Sequence, residues 1–323
     1  MINSWYHIRW WNYLLLPFSW CFQGIVYCRR LLYRYQCISV NKISAPVIIV
    51  GNITVGGTGK TPLVIYLANY LQQQGYRPGI ISRGYGSKVM QPQYVNQQSS
   101  ASEVGDEPVL IVQHVDCPLV VSPNRVAAAQ TLLRHHHCDI IISDDGLQHY
   151  ALARDIEIAV IDGQRRLGNG FCLPTGPLRE GKQRLAQVDF VVCNGNQVEP
   201  GEYMMQFMPQ YFHNMKNSSQ QALKAWQGKT VHAVAGVGNP SRFFTGLREL
   251  GLIIIEHPFA DHHPFSVNDL FFPDDLPIVM TEKDAVKCRD FVDVRMWCLP
   301  VVAHLDKVFT QKLLEKISSK NDI

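Results

Sequence analysis

The first residues of this 323-residue chain with the makings of chemistry lie in PVIIVGNITVGGTGKTPLVIYLANYL, residues 46–71. An apolar run stops at a glycine, small residues follow, and a helical pattern begins after Lys60-Thr61. Gly56, Gly57 and Gly59 free the backbone to curl, so that its N–H groups point inward at phosphate oxygens. The helix expected from Lys60 or Thr61 turns its positive end on the same point, and Pro62 suits its first turn. Lys60 has the reach for the β- and γ-phosphates of a nucleotide, and the Thr61 hydroxyl is placed to ligate magnesium. Thr54 and Thr58 complete the loop. Thr54 stands where the phosphate-loop pattern has its first glycine, five residues before Gly59. The alternative is a glycine-rich turn with an incidental Lys-Thr; a dinucleotide fold would have no need of the lysine.

Carboxylates come next. CDIIISDDG is an apolar strand ending in Asp144 and Asp145, and an aspartate at such a strand end helps hold magnesium beside a phosphate loop. The same pair also suits a simple turn. VGDEP sets Asp106 and Glu107 ahead of an apolar helix. Asp106 can accept the proton of an acceptor hydroxyl, and it can equally cap the helix. GQRRLGNGFCLPTGPLREGKQR, residues 163–184, carries Arg165, Arg166, Arg179, Lys182 and Arg184 on a Gly/Pro-rich segment. Such an arginine can neutralise a phosphoryl group, or merely coat a surface loop. FADHHPF holds Asp261, His262 and His263. Adjacent histidines diverge, so only one of the two is expected to serve a catalytic carboxylate, and the motif does not say which. HHHCD (135–139) splays around a helix and reads as a helix end, where histidine suits the dipole. TEKD (281–284) has charges that fit either a ligand or a helix cap.

The elements that must position these residues are short and β-branched. VIIV (47–50), GIIS (79–82), PLVV (118–121), DIIIS (139–143), IEIAVI (156–161) and VDFVVC (188–193) read as buried parallel strands. Segments of helix length separate several of them. The expected fold class is α/β: a phosphate-loop NTPase-like domain with a mostly parallel sheet, joined to a second, smaller α/β domain. The expected boundaries are an N-terminal helical segment at 1–40, the phosphate-loop core at 41–195, a linker or crossing at 196–225, and the smaller domain at 226–323. In that last part TVHAVAGV, LIIIEH, PIVMTEKD and VRMWCLPVV read as strands, and FTQKLLEKISSK as a final helix.

Charge is distributed unevenly. The formal net charge is +3, yet no Asp or Glu precedes Glu103, and the first hundred residues hold nine Lys or Arg. A basic half faces nucleic acid, an anionic membrane or an anionic substrate. Residues 5–38 choose among these: Trp5, Trp10, Trp11 and Trp20 sit beside Leu14, Leu15, Leu16, Phe18 and Ile25, with Arg9, Arg29, Arg30 and Arg34 at either end. Trp and Arg together suit the interface of an anionic membrane, and such apolar runs do not suit the hydrated surface of a duplex. A helix, or a helix pair broken at Pro17, lying on the membrane is the preferred reading. A bilayer span and a helix packed on the domain are the others. The nine cysteines include no CxxC pair and read as small core residues in a reducing compartment.

Taken together, GNITVGGTGKTP, ISRGYGSK, VGDEP, ISDDGLQH, LPTGPLRE, FADHHPF and MTEKDAV resemble, in order and character, the tetraacyldisaccharide 4′-kinases of lipid A biosynthesis. The resemblance covers nearly the whole chain. It implies transfer of the γ-phosphoryl group of ATP, with Mg2+, to the 4′-hydroxyl of tetraacyldisaccharide 1-phosphate, by a peripheral enzyme at the cytoplasmic face of the inner membrane. It implies Lys60 as the phosphate-binding lysine and Thr61 as the magnesium-associated threonine. It implies Asp106 as the group that receives the acceptor proton, paired with His262. Asp144 and Asp145 match the strand-end pair near lysine and metal, and Arg179 and Glu180 the pair that approaches phosphates and magnesium. Leu147 stands where the family often has Phe. The expected partners are the lipid substrate and an anionic membrane surface, with no nucleic acid, and the expected state is a monomer. The competing functions are another ATP-dependent enzyme (a carboxylase, ligase or metallochaperone-type nucleotidase) and a nucleotide-switched membrane-recruitment protein. The first gives no reason for the aromatic N-terminus, and the second no use for Asp106 and His262.

Overall fold

The structure, a computed structural model, describes residues 5, 6 and 10–321; Arg9 lies outside them. In chain order the elements are α1 (Leu16–Arg34), β1 (Val47–Gly51), α2 (Lys60–Gln73), β2 (Pro78–Ser82), β3 (Gln93–Val95), α3 (Ala101–Val104), α4 (Asp106–His114), β4 (Leu119–Val121), α5 (Arg125–His135), β5 (Ile140–Ser143), β6 (Ile156–Asp162) and β7 (Phe190–Asn194). There follow β8 (Glu202–Pro209), β9 (Phe212–Asn214), β10 (Gln220–Gln221), β11 (Thr230–Ala235), α6 (Pro240–Glu249), β12 (Ile253–Pro258), β13 (Ile278–Thr281), α7 (Glu282–Ala285), β14 (Met296–Leu299), β15 (Val301–Leu305) and α8 (Lys307–Asn321).

Two sheets result: nine strands in the order β15-β8-β7-β6-β1-β5-β2-β4-β3, and six in the order β10-β9-β14-β13-β11-β12. All pairings from β8 through β4 in the large sheet are parallel, and only β15 and β3 at its edges run antiparallel. The apolar runs explain this. A parallel strand covered on both faces needs branched apolar residues at every position, and β1 and β5 are buried throughout. Alternate residues serve opposite faces. Ile48 and Val50 join Leu63, Leu67 and Leu71 of α2, while Val47 and Ile49 join Ala128, Ala129 and Leu132 of α5. The smaller sheet packs Phe212, Trp226, Phe244 and Leu247 on one face, with Phe212 and Trp226 stacked at 4.3 Å.

The chain between 196 and 225, expected as a linker or a crossing between domains, carries β8, β9 and β10. Its first strand extends the large sheet and its second pairs with β14 of the small one. β8 reads EYMMQFMP, with Glu202 and Gln206 interrupting its apolar residues and only Met205 fully buried, so no unbroken branched apolar run announces the strand. The segment 226–323, expected as the smaller α/β domain closing the active-site cleft, also returns part of itself to the large sheet. Pro300 breaks VRMWCLPVV into β14, in the small sheet, and β15, which pairs with β8. α8 follows β15, and Phe309, Leu313 and Ile317 enter the large core. The crossings hold the two sheets together and place the loops between them over the end of β1.

At the N-terminus a short 3-10 turn, Trp10–Leu15, leads into α1 with no break at Pro17, which occupies the first turn of the helix. Ser19 is buried and donates to Cys172 O at 2.7 Å, and Phe22 packs on the large core. The other side is bare: Trp10, Phe18, Trp20 and Ile25 are each more than 60% exposed. No helix among the described residues is long and apolar enough to cross a membrane.

Candidate active site

The loop after β1 is shaped by its glycines. Gly56 and Gly59 have φ of 102° and 96°, and a side chain at Gly59 would collide with Asn194 and Phe207. Asn194 Nδ2 donates to Thr58 O at 3.0 Å, and Thr54 forms a bridge to Leu178, so the loop is tied at both ends. Lys60 and Thr61 open α2 and are buried. Lys60 Nζ donates to Asn52 Oδ1 at 3.2 Å and lies 3.5 Å from Asp145 Oδ1.

The strand-end pair divides into two environments. Asp145 takes the charges of Lys60 and of Arg179, whose Nη1 lies 3.2 Å away. Burial would raise its carboxyl, but Lys60, Arg179 and Arg125 outweigh that and hold it far below the ordinary value. Asp144 is wholly buried, receives Ser82 Oγ at 3.3 Å on one oxygen, and has no partner on the other. Burial, with the charge of Glu107 nearby, pushes its carboxyl well above the ordinary value. A buried carboxylate with a free oxygen, close enough to Lys60 to take its charge at the carboxyl edge of the sheet, is a donor that fits a small hard cation. Arg125 Nη2 anchors the turn by donating to Asp144 O (3.1 Å) and Asp145 O (2.7 Å). Glu180 is buried, and its oxygens are engaged by Gln148 Nε2 at 2.7 Å and by the Tyr150 hydroxyl. Gln148 also donates to Asn52 O, which links Glu180 to the partner of Lys60.

The second half of the site spans the two sheets. Gly105, with φ of 96°, turns the chain into α4 and sets Asp106 in its first turn. A side chain at Gly105 would crowd Tyr85 O, so the start of α4 lies against the loop that leaves β2 beside Ser82 and Asp144. From the small unit, His262 brings Nδ1 to 3.0 Å from Asp106 Oδ2. His262 has φ of 61°, an uncommon conformation for a side-chain-bearing residue, which functional sites tend to hold. Burial would raise the Asp106 carboxyl, yet the His262 hydrogen bond and the Lys283 charge outweigh it and hold it below the ordinary value. The same hydrogen bond raises His262. His263 points away, into Phe259 and Phe265, with Asp269 at 3.3 Å.

Of the arginines in 163–184, Arg179 is the one joined to the strand-end pair. Arg166 pairs with Glu202 (2.7 Å), Arg184 with Glu157, and Arg165 donates to Gly238 O. These three bond the scaffold. Gly238 itself lies against Gly57, and Asn239 and Arg242 beside it bind Asp162 at 3.0 and 2.7 Å, so the first loop of the small unit sits on the phosphate loop. Asn52, Ser82, Arg125 and Asn194 escaped the sequence reading. Each is a polar residue at or just past a strand or helix terminus, and that position was the available signal.

A glycine loop between β1 and α2, a lysine at the helix start and an aspartate pair at the end of the adjacent parallel strand define a phosphate-loop nucleotide-binding protein. The comparisons narrow the class. The sequence pattern described as Tetraacyldisaccharide-1-P 4′-kinase matches residues 11–318, and the chain belongs to that family. It is 50% identical over 318 residues to a tetraacyldisaccharide 4′-kinase of Methylobacillus flagellatus, covering 98% of this chain and 95% of the relative. It is 48% identical over 315 residues to one of Nitrosococcus oceani, covering 97% and 93%. Among solved structures, the apo-form LpxK from Aquifex aeolicus in complex with ATP superimposes with a TM-score of 0.78 at 29% identity, over 95% of this chain and 99% of that one.

Proposed function

We propose that this chain is the lipid A 4′-kinase of its organism, transferring the γ-phosphoryl group of ATP to the 4′-hydroxyl of tetraacyldisaccharide 1-phosphate. The observation that carries the residue roles is the Asp106–His262 pair at 3.0 Å, assembled from opposite sides of the cleft beside the phosphate loop. A nucleotide switch needs Lys60 and Thr61 alone; an acceptor base held by a second unit serves transfer.

The backbone of Thr54 to Gly59 cradles the phosphates, and Lys60 and Arg179 offset their charge. Arg179 reaches this position through Asp145. Thr61 and Asp144 would hold magnesium, with Asp145 and Glu180 behind them, the latter acting through Gln148 and Asn52. When bound, the ion neutralises charge on the phosphate oxygens. The acceptor hydroxyl approaches in line, and an Asp106 oxygen takes its proton. His262 keeps the other oxygen fixed. A depressed carboxyl is a weak base, and that suffices where the proton leaves late in phosphoryl transfer.

The bare aromatic face of α1, with Arg29, Arg30 and Arg34 near its end, lies on the anionic cytoplasmic face of the inner membrane and keeps the enzyme, as a monomer, where its lipid is concentrated. The decisive experiment incubates the protein with Mg-ATP and tetraacyldisaccharide 1-phosphate in detergent micelles, beside Lys60→Ala. Mass spectrometry is expected to show one added phosphoryl group on the distal sugar, absent in the control. Unmodified lipid with folded, ATP-binding protein overturns the assignment.

A further inference from the structure

Lys283 has no part in the transfer as set out above, yet its ammonium stands among three carboxylates drawn from both sides of the cleft. Nζ lies 3.0 Å from Glu107 Oε1, 3.5 Å from Asp261 Oδ1 and 3.9 Å from Asp106 Oδ2, with the side chain 16% exposed. A lysine that merely solvates a surface would keep its head in water.

The backbone around it is fixed. Thr281 caps α7 by accepting from Asp284 N at 3.1 Å. Asp284, wholly buried, accepts from Gly236 N at 3.0 Å and from Thr281 Oγ1 at 2.7 Å. The neighbouring Glu282 lies 2.9 Å from His114 Nε2, at the far end of α4. α7 therefore grips α4 at both ends, through Glu282 at the last residue and Lys283 at the first turn.

The charge balance explains the need for such a grip. Around Lys283 stand Asp106 and Glu107 from α4 and Asp261 from the loop after β12; Asp106 also takes the hydrogen bond of His262 and the charge of Lys287, which itself pairs with Asp284 at 2.7 Å, while the Tyr85 ring covers His262 at 5.0 Å. Without Lys283, three carboxylates would share His262 and the more distant Lys287. Like charges in one site drive carboxylates to hold their protons, and a protonated Asp106 cannot accept one from an alcohol.

We propose that Lys283 is a positioning residue for phosphoryl transfer: it bridges Glu107 and Asp261 and so keeps the Asp106 carboxylate ionised and turned on His262. This rests on the kinase assignment. Burial would lower the Lys283 ammonium, but the three carboxylates together raise it above the ordinary value, so the cation persists across the working pH range.

The test compares wild type, Lys283→Met, Lys283→Arg and Glu107→Gln in the lipid phosphorylation assay across pH, with His262 followed by imidazole NMR in the same proteins. In Lys283→Met the acid limb of kcat/KM is expected to move up by about one pH unit, with the KM for ATP little changed. Lys283→Arg restores the limb. Glu107→Gln, which removes a competing carboxylate and keeps the lysine, moves it down. The His262 midpoint rises in Lys283→Met, since the ammonium opposes the imidazolium. An acid limb and a His262 midpoint that both stay in place in folded Lys283→Met overturn the proposal. If that variant does not fold, an unmoved limb in Glu107→Gln overturns it. Failure of the wild type to phosphorylate the lipid refutes the kinase assignment alone, because the His262 titration reads the charge balance without turnover.

Discussion

Replacing Asp106 by Asn removes the proposed base with little else disturbed. The amide keeps the shape of the carboxylate, and Lys283 keeps Glu107 at 3.0 Å and Asp261 at 3.5 Å, so no buried cation is orphaned. Stability should change by no more than about 1 kcal/mol, the scale of one altered hydrogen bond. A positioned general base is worth about 10²–10⁴ in rate. Asp106 belongs near the lower end, because its depressed carboxyl is a weak base that takes the proton late. The expected loss is thus about 10²–10³ in kcat, or about 2.7–4 kcal/mol of transition-state stabilisation. The KM for ATP should hold, since Asp106 makes no contact with Lys60 or its partners. Because Asp106 and His262 act as a unit, Asp106→Asn combined with His262→Ala should cost scarcely more than Asp106→Asn alone. Single-turnover transfer to the lipid across a range of Mg-ATP concentrations, in Asp106→Asn, His262→Ala and the double variant, measures all three. A kcat within about threefold of wild type in folded Asp106→Asn would refute the base role, and additive losses would refute the pairing.

Four further outcomes follow from the same geometry. Lys60→Ala should lower transfer by about 10²–10³ and weaken nucleotide binding by calorimetry, leaving Asp145 with Arg179. His262 is raised by its hydrogen bond to Asp106, so that bond adds stability fully below the unfolded value of about 6.5 and loses it as pH rises through the folded value. The melting-temperature gap between wild type and His262→Gln should therefore be widest in mild acid and shrink in alkali; a gap growing with pH would contradict the pairing. Replacing the exposed Phe18 and Trp20 of α1 by Ser together should weaken binding to anionic vesicles by about 10- to 100-fold, read by co-sedimentation with circular dichroism as the check on folding. Trp226→Ala, which empties the stack between Phe212 (4.3 Å) and Trp297 (5.0 Å), should cost about 3–5 kcal/mol in chemical denaturation.

What rests on local patterns is legible in the residues alone. Branched apolar runs such as VIIV and DIIIS can be buried on both faces only in a parallel sheet, and a glycine loop ahead of Lys60-Thr61 must curl between strand and helix. Those signals span a few residues, and the large sheet, the phosphate loop and the aspartate pair at its edge follow from them. The crossing of β8 and the return of β15 and α8 to the large sheet did not, because strand partners are chosen by packing between residues far apart in sequence. For the same reason His262 and His263, indistinguishable in FADHHPF, were separated only by the fold, which turns one onto Asp106 and the other into Phe259 and Phe265. Lys283 is the sharpest case: TEKD fits a helix cap as well as a ligand site, and Thr281 does cap the helix. The adjoining lysine meets Glu107 and Asp106 across more than 170 positions of sequence. A charge takes its meaning from the charges near it in space, and that proximity exists only once the two sheets have closed on one another.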